Sequence, residues 1–418
     1  MNNKKALYLN MKNYYEALDQ DVFANLPLTF HVKNGLDDPE FQRFEQYYAK
    51  CEEEVKNKKA VQKQRRKDER ELREKAKDED DTSPHTSPTK KTKEANEVPQ
   101  YYQSLAAPKN IWIIKPGENT NQGRGIQVAK DFAEIKDIII DSTQNRKRTC
   151  IVQKYIHNPL LIHRRKFDIR TFALMTSVNG TLKAYLYEEG YLRTSCREYS
   201  INNLNNKLVH LTNDAVQKRS EDYGKFEPGN KLSYNEFQVF LDKNHPDLNI
   251  CFERDMVPQM NKMTTDVFRA CHGKLDPKRR LNCMEVFGLD FMICDEFRPY
   301  LIEVNTNPCL ELSSPLLARL IPTMLENSFK IGLDGVFFPP EHFSSKKAFI
   351  GDACPENRYT LCFDDSDPQD GPFLDKVFAT KNNIISKCLS KILLMFMFLL
   401  VEMDEDELSE EEVHDDEE

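Results

Sequence analysis

Glu285–Pro308 reads EVFGLDFMICDEFRPYLIEVNTNP, and the fold turns on this stretch. Two apolar runs, Val286–Ile293 and Tyr300–Val304, flank the tetrad Asp295-Glu296-Phe297-Arg298, the pattern of a β-hairpin. A turn centred between Glu296 and Phe297 pairs Asp290 with Glu303, and alternation of strand faces brings Asn305 to the same side. Two carboxylates facing each other repel, and apolar surroundings raise that cost unless a counter-charge is present. A hard cation supplies one, since Mg2+ takes one or two carboxylates together with phosphate oxygens. The hairpin reads as a metal–phosphate site, against the plainer alternative of a wet polar strand face.

Outward from the hairpin, 418 residues allow two or three domains, and 30% charged residues imply long solvated segments. The net charge of -9 is local: Glu402–Glu418 holds twelve Asp and Glu and no Lys or Arg, which leaves residues 1–401 at +3. Basic residues gather at Arg164–Arg170 and Lys278–Arg280, so the body suits an acidic partner. Eleven cysteines without CxxC spacing, and no secretory signal, read as reduced thiols of an intracellular protein. The nine histidines form no zinc pattern with them. The apolar run Ile392–Val401 is ten residues, half the ~20 that span a bilayer, and reads as a core- or partner-docking helix, with an interfacial anchor as the alternative; no membrane span is expected.

In chain order, NLPLTFHV (Asn25–Val32) holds a strand and Leu36–Tyr48 a short helix. Cys51 to about Asp81 is nearly all charge, either a solvated helix or disorder, and Thr82–Thr92 is disordered on composition. Ser83-Pro84 and Ser87-Pro88 fit proline-directed phosphorylation sites, but such pairs are common in linkers and the linker reading is favoured. NIWIIK (Asn110–Lys115) is a buried strand, followed by the Gly-bearing loop Pro116–Gly125 and a short strand at Ile126–Val128. That loop is no Walker A motif, because its Lys precedes the glycines, and it reads equally as an ordinary hairpin turn or as a phosphate cover. IVQKYI (Ile151–Ile156) is a strand, and in RKFDIRTFAL (Arg165–Leu174) Lys166, Asp168 and Arg170 share one face. The spacing fits either an exposed ion-paired face or a face for a nucleotide or acidic peptide. Leu182–Thr194 reads as a hairpin bending at Glu189-Gly190 and delivering Arg193. LVHLTN presents His210, Thr212 and Asn213; Leu232–Leu241, Met256–Arg269 and Ser314–Ile331 have helical spacing.

NIWIIKPG…GRGI, IVQKYI, RRKFDIR, YLRTS, HLTN and FGLDFMI…PYLIEVNTNP, in this order, resemble the tubulin tyrosine ligase-like family of the ATP-grasp superfamily. The likeness covers residues 99–340, and 1–50 more faintly. It implies an α/β (α+β) ATP-grasp fold, antiparallel sheets and flanking helices enclosing a nucleotide cleft. It also implies a division into a truncated N-terminal domain (1–50), a charged insertion (51–98), a central domain (99–155), a C-terminal ATP-grasp domain (156–340) and a largely irregular tail (341–418). The implied chemistry is ATP-dependent ligation of tyrosine, glutamate or glycine to a tubulin tail through an acyl phosphate. By position, Asp290, Glu303 and Asn305 resemble the Mg2+ ligands. Lys115, Gln153, Lys154, Tyr155, Ile156, Lys166, Asp168 and Asp290 resemble the ATP contacts. Arg170, Arg193, His210, Thr212 and Asn213 resemble residues that handle the acceptor peptide and the free amino acid, with Arg170, Arg193 and Glu303 in catalytic roles. The implied setting is the cytoplasm and microtubules, cilium or basal body included, with no nucleic-acid partner.

HLTNDAVQKRSEDYGKFEPGN is closer to the tyrosine ligase itself, NTNPCLELSSPLL to glutamate- and glycine-adding relatives, so the amino acid stays open. Two other readings stand beside the ligase: a non-catalytic microtubule-binding protein, which a short N-terminus favours, and an ATP-grasp ligase acting on another acidic protein or a small molecule. A kinase is disfavoured by the absence of an HRDxxxxN or DFG set.

Overall fold

Two antiparallel sheets form the frame of the computed structural model, which describes residues 4–80, 109–117, 123–143, 149–334, 336–337 and 356–379. The first contains β1 (Thr29–Val32), β2 (Trp112–Pro116), β3 (Gln127–Ala129) and β4 (Cys150–Lys154) in the order β1-β4-β2-β3. Its apolar face buries Phe30, Trp112, Ile114 and Val152 against Ile135, Ile138 and Ile139 of the helix Phe132–Thr143. Phe41 and Phe44, from the first turns of the helix Pro39–Asp80, close the same core, and Phe44 meets Trp112 edge-on at 4.8 Å. Each such aromatic or aliphatic side chain contributes about 1.5–3 kcal/mol by leaving water.

The second sheet is organised on β6 (Arg165–Val178), with β5 (Leu161–Ile162), β7 (Thr181–Tyr187), β8 (Tyr191–Glu198), β9 (Lys231–Leu232), β10 (Asn282–Ile293), β11 (Pro299–Asn305) and β12 (Tyr359–Asp364) around it. On one face Phe167, Ile169, Ala173 and Met175 pack against the helices Lys4–Ala17, Tyr234–Asn244 and Val257–Ala270. On the other, Phe172 and Leu174 meet Leu317, Leu320 and Ile321 of the helix Pro315–Gly332. That helix is capped by Ser314, whose side chain accepts from the Leu317 amide, and it holds Pro322 within it. This mixed α/β arrangement of antiparallel sheets and flanking helices agrees with the ATP-grasp expectation.

Several local expectations change. The charged run from Cys51, read as either a solvated helix or disorder, is helix, and what changes is its extent: Pro39–Asp80 is one continuous element of 42 residues, of which the expected Leu36–Tyr48 helix is only the start. Leu182–Thr194 is not a hairpin. β7 and β8 both pair with β6, β7 along Ala173–Val178 and β8 along Arg165–Arg170, so they lie end to end on one edge. The reason is at Gly190, where a Cβ would come within 2.3 Å of both the Arg170 carbonyl oxygen and the Tyr234 hydroxyl. The residue at the break lets β8 return to the strand that β7 has just left.

The organising hairpin also differs in its turn. Phe297, with φ 59°, donates its amide to the Cys294 carbonyl, which makes a three-residue loop centred on Glu296 rather than a turn between Glu296 and Phe297. The resulting offset of one residue is cancelled by an irregularity between Asp290 and Phe291, where Ile302 is the extra residue opposite. Asp290 therefore pairs with Glu303 as expected, for a different reason. The segment expected to be irregular contributes β12, which pairs with β7, and a helix over 371–379. Residues 118–122 of the Gly-bearing loop, the two Ser-Pro pairs, Ile392–Val401 and the acidic tail lie outside the described residues. No described helix is long and apolar enough to cross a membrane.

Candidate active site

Cross-strand register assembles the site. One row runs over four strands: Glu303 on β11, Asp290 on β10, Arg170 on β6 and Tyr191 on β8. Two residues along, a second row sets Asp168 on β6 beside Arg193 on β8 and Lys231 on β9. Pleating places both rows on one face, so charges from distant parts of the chain meet without any loop. Arg170 donates to Asp290 Oδ1 from Nε at 2.6 Å and to Oδ2 from Nη2 at 3.2 Å. Arg193 clasps Asp168 with two bonds of 2.6 and 2.8 Å and reaches Asp290 Oδ2 at 2.9 Å. Thr212 adds its hydroxyl to Asp168 at 2.5 Å. Lys166, Asp168, Arg170, Arg193 and Asp290 are all under 9% exposed, which removes the exposed-face reading of Lys166, Asp168 and Arg170.

Gly288 makes the Arg170 contact possible. A Cβ there would sit 3.1 Å from Arg170 Cδ and Nε and 2.8 Å from Pro308. The residue two before Asp290 must therefore lack a side chain if the guanidinium is to lie along β10. Burial alone raises the Asp290 carboxyl; Arg170 and Arg193 outweigh it and hold the group at about 2. The repulsion that pointed to a cation is thus answered in part by arginines, with Lys4 Nζ 3.6 Å from Glu303.

The three expected metal ligands converge. Asn305 Nδ2 lies 3.4 Å from Asp290 Oδ2, and Glu303 stands opposite with 28% of its side chain exposed. Rotating the Asn305 amide presents its oxygen to the same space. No three His, Cys, Asp or Glu among the described residues form a metal cage. These two carboxylates and one amide fit a cation that completes its shell with phosphate oxygens and water, as Mg2+ does.

A second cluster lies across from these rows. Lys115 on β2 donates to Gln153 Oε1 on β4 at 2.7 Å, and Gln153 donates to Thr29 at 2.9 Å. Lys166 donates to the His210 carbonyl at 2.8 Å and to the Tyr155 hydroxyl at 3.2 Å. His210 Nε2 donates to the Asn203 carbonyl at 2.9 Å, which leaves Nδ1 to accept from Tyr155 at 2.9 Å. Burial lowers Lys166 to about 7 against the opposing Asp168, with Lys115 adding to the fall. Burial lowers Lys115 to about 8 against the opposing Glu303. Two desolvated ammonium groups gain from an approaching anion.

Not every expected residue joins. Alternation along β4 turns Lys154 away from Gln153, and its ammonium lies 4.7 Å over the Trp112 ring and 3.5 Å from Asn110. Ile156 is half-buried just beyond β4. Asn213 precedes the short helix Asp214–Gln217, near Gly123 at the end of the Gly-bearing loop. The basic cluster at Arg164–Arg170 is no surface patch: Arg165 is buried in an ion pair with Glu227, and Arg164 alone is exposed, paired with Glu198. Sequence reasoning missed Lys231, which is buried and donates to Asp214 at 2.5 Å, with Tyr223 on the same carboxylate at 3.1 Å. β9 is two residues long and carries no periodicity. Extending the Asp168–Arg193 row one strand would have found it.

The profile of the Tubulin-tyrosine ligase family matches residues 34–344. The chain belongs to the tubulin-tyrosine ligase family. Within that family it is 37% identical over 239 residues to Tubulin glycylase 3D of Tetrahymena thermophila, covering 56% of this chain and 22% of the relative. It is 38% identical over 240 residues to Tubulin glycylase 3A of Drosophila melanogaster, covering 56% and 23%. To Protein monoglycylase TTLL8 of Homo sapiens it is 33% identical over 231 residues, covering 54% and 26%. The chain spans about a quarter of the length of these curated relatives.

Proposed function

We propose that this chain is an ATP- and Mg2+-dependent ligase that joins an amino acid, glycine in the first instance, to a carboxylate of an acidic tubulin tail. The observation that carries the reading is the pair of charge rows, with Asp168, Arg170, Arg193 and Asp290 buried and bonded to one another and Glu303 at the open edge, in a chain whose relatives are named glycylases. Mg-ATP, when bound, supplies the phosphoryl group that activates the carboxylate for attack by the amine.

The protein's own residues hold the reactants. Asp290, Glu303 and Asn305 hold the cation. Lys115 and Lys166, both desolvated, bind the phosphates, and an approaching anion favours their charged forms. Gln153 and Tyr155, bonded to Lys115 and Lys166, flank the nucleotide, and Asp168 fixes Arg193. Arg170 and Arg193 offset charge on the activated carboxylate, and preorganised guanidinium groups do so with little rearrangement. His210, kept neutral by burial, lines the acceptor side with Thr212. A cytoplasmic, cytoskeletal setting follows from such a substrate.

The test is purified chain incubated with ATP, Mg2+ and labelled glycine, glutamate or tyrosine on microtubules. ATP-dependent incorporation of glycine into the tubulin tails is expected. Folded protein that incorporates none of the three overturns the reading.

A further inference from the structure

The helix Pro315–Gly332 has two apolar faces. Leu317, Leu320, Ile321, Met324 and Ile331 turn inward and are buried against β6 and β7. On the outer side Phe329, Leu333 and Phe337 are 46%, 40% and 69% exposed. Leu333 donates its amide to the Phe329 carbonyl at 2.8 Å, and Phe337 to the Leu333 carbonyl at 2.7 Å, so each lies one helical turn past the one before. A single exposed Phe or Leu is ordinary, but three in line over about 12 Å make a continuous surface that water disfavours. A helix that is apolar on both sides is one that is covered on both sides.

The chain carries a segment of matching chemistry and length. Ile392–Val401 (ILLMFMFLLV) is ten apolar residues without a charge, about 15 Å long as a helix. The last described residues before it form the helix over 371–379. A Cβ on Gly332 would come within 2.6 Å of the Met284 sulfur; Met284 pairs with Thr176, Thr176 with Lys183, and Lys183 meets Asp364. That row crosses from β10 to β12, about 15 Å, and Asp370, just before the helix over 371–379, accepts the Asp364 amide at 3.2 Å. Passing round the sheet and along that helix makes the gap on the order of 30 Å. The twelve residues 380–391 span up to ~40 Å, enough to close it. The stretch 338–355, which follows Phe337 directly, has no apolar run longer than Ala348–Ile350.

We propose that Ile392–Val401 packs on the Phe329–Leu333–Phe337 stripe of its own chain, covering the outer side of the helix Pro315–Gly332. The match is one of apolar surface and of length, with anchors a turn apart meeting a segment that is apolar all round. Neither side of the contact belongs to the proposed active site.

Amide hydrogen exchange of the full chain tests this without any catalysis. Slow exchange at 392–401 is expected in the parent, unchanged over about a hundredfold range of protein concentration. Phe329→Lys with Phe337→Lys should speed exchange at 392–401 about tenfold or more and leave β6 and β10 as protected as before. The reciprocal variant, Leu393→Lys with Phe396→Lys and Leu400→Lys, should speed exchange at 333–337. It alters no residue of either sheet, so it decides the matter should the first variant fail to fold. Unprotected 392–401 in the parent, protection that neither variant moves, or protection lost on dilution, as contact between two copies would give, overturns the docking. A chain that never ligates would defeat the proposed function and leave this contact standing.

Discussion

The charge rows on β6, β8, β10 and β11 and the helix Pro39–Asp80 use the same residue types and put them in opposite environments. In the sheet, charge recurs every second residue between apolar neighbours, and Asp168, Arg170, Arg193 and Asp290 are buried and bonded to one another. In the helix beyond Val55, charge is nearly continuous and no apolar face accompanies it. What separates the two is the apolar frame: a core closes over alternating charge, while a charged helix without a stripe stays in water. Burying an ion costs several kcal/mol even after relaxation, so a buried lattice is poor evidence for stability and good evidence for a site.

The strongest way to break this contrast is Arg193→Met. It removes one side chain serving two buried carboxylates and should cost about 3–5 kcal/mol of stability in urea unfolding; a loss below about 1 kcal/mol would show the lattice to be loosely coupled. Gly190→Ala comes next. Its methyl would meet the Arg170 carbonyl oxygen, and pushing β8 off β6 should cost about 1–3 kcal/mol. An unchanged unfolding midpoint would contradict the end-to-end arrangement of β7 and β8. A smaller effect is expected from pH. Lys166 and Lys115 fall to about 7 and about 8 in the folded protein, against about 10.4 unfolded. Between these values the unfolded chain binds more protons, so their contribution to stability rises with pH from about 7 to 10 and is lost as pH falls through the folded values. Melting temperatures of the ligand-free protein and Lys166→Met at pH 6.5 and 9 should diverge, with the flatter response in the variant; parallel curves would place the charge of Lys166 elsewhere. Smallest of all, Lys58→Gln with Lys59→Gln should move stability by no more than about 0.5 kcal/mol.

Much of the site was legible because strand period and register are arithmetic. The face shared by Lys166, Asp168 and Arg170, and the pairing of Asp290 with Glu303, needed only alternation and a turn. Yet the Asp290–Glu303 pairing survived a misplaced turn only because the irregularity at Ile302 restored the count, and no local residue pattern announces it. Gly190 carried the opposite lesson. Glu189-Gly190 is good hairpin chemistry, and only tertiary contact with Arg170 and Tyr234 shows that the glycine serves close approach. Burial was illegible for Arg165, whose neighbour Arg164 is exposed: the partner that decides the difference, Glu227, comes from a distant loop. β12 escaped because its pairing partner is far away in sequence.

The central claim is that Asp290, Glu303 and Asn305 hold Mg2+ against the phosphates of ATP. Glu303→Gln tests it most directly, since it keeps the size of a partly exposed side chain and removes one ligand charge. The paired measurement is thermal stability, with and without Mg-ATP, beside ATP-dependent amino-acid incorporation into microtubules. The account predicts an unchanged melting temperature without ligand, a lost Mg-ATP stabilisation and incorporation reduced on the order of 10²-fold or more. A Glu303→Gln protein that keeps the Mg-ATP shift and ligates at the parent rate would contradict it.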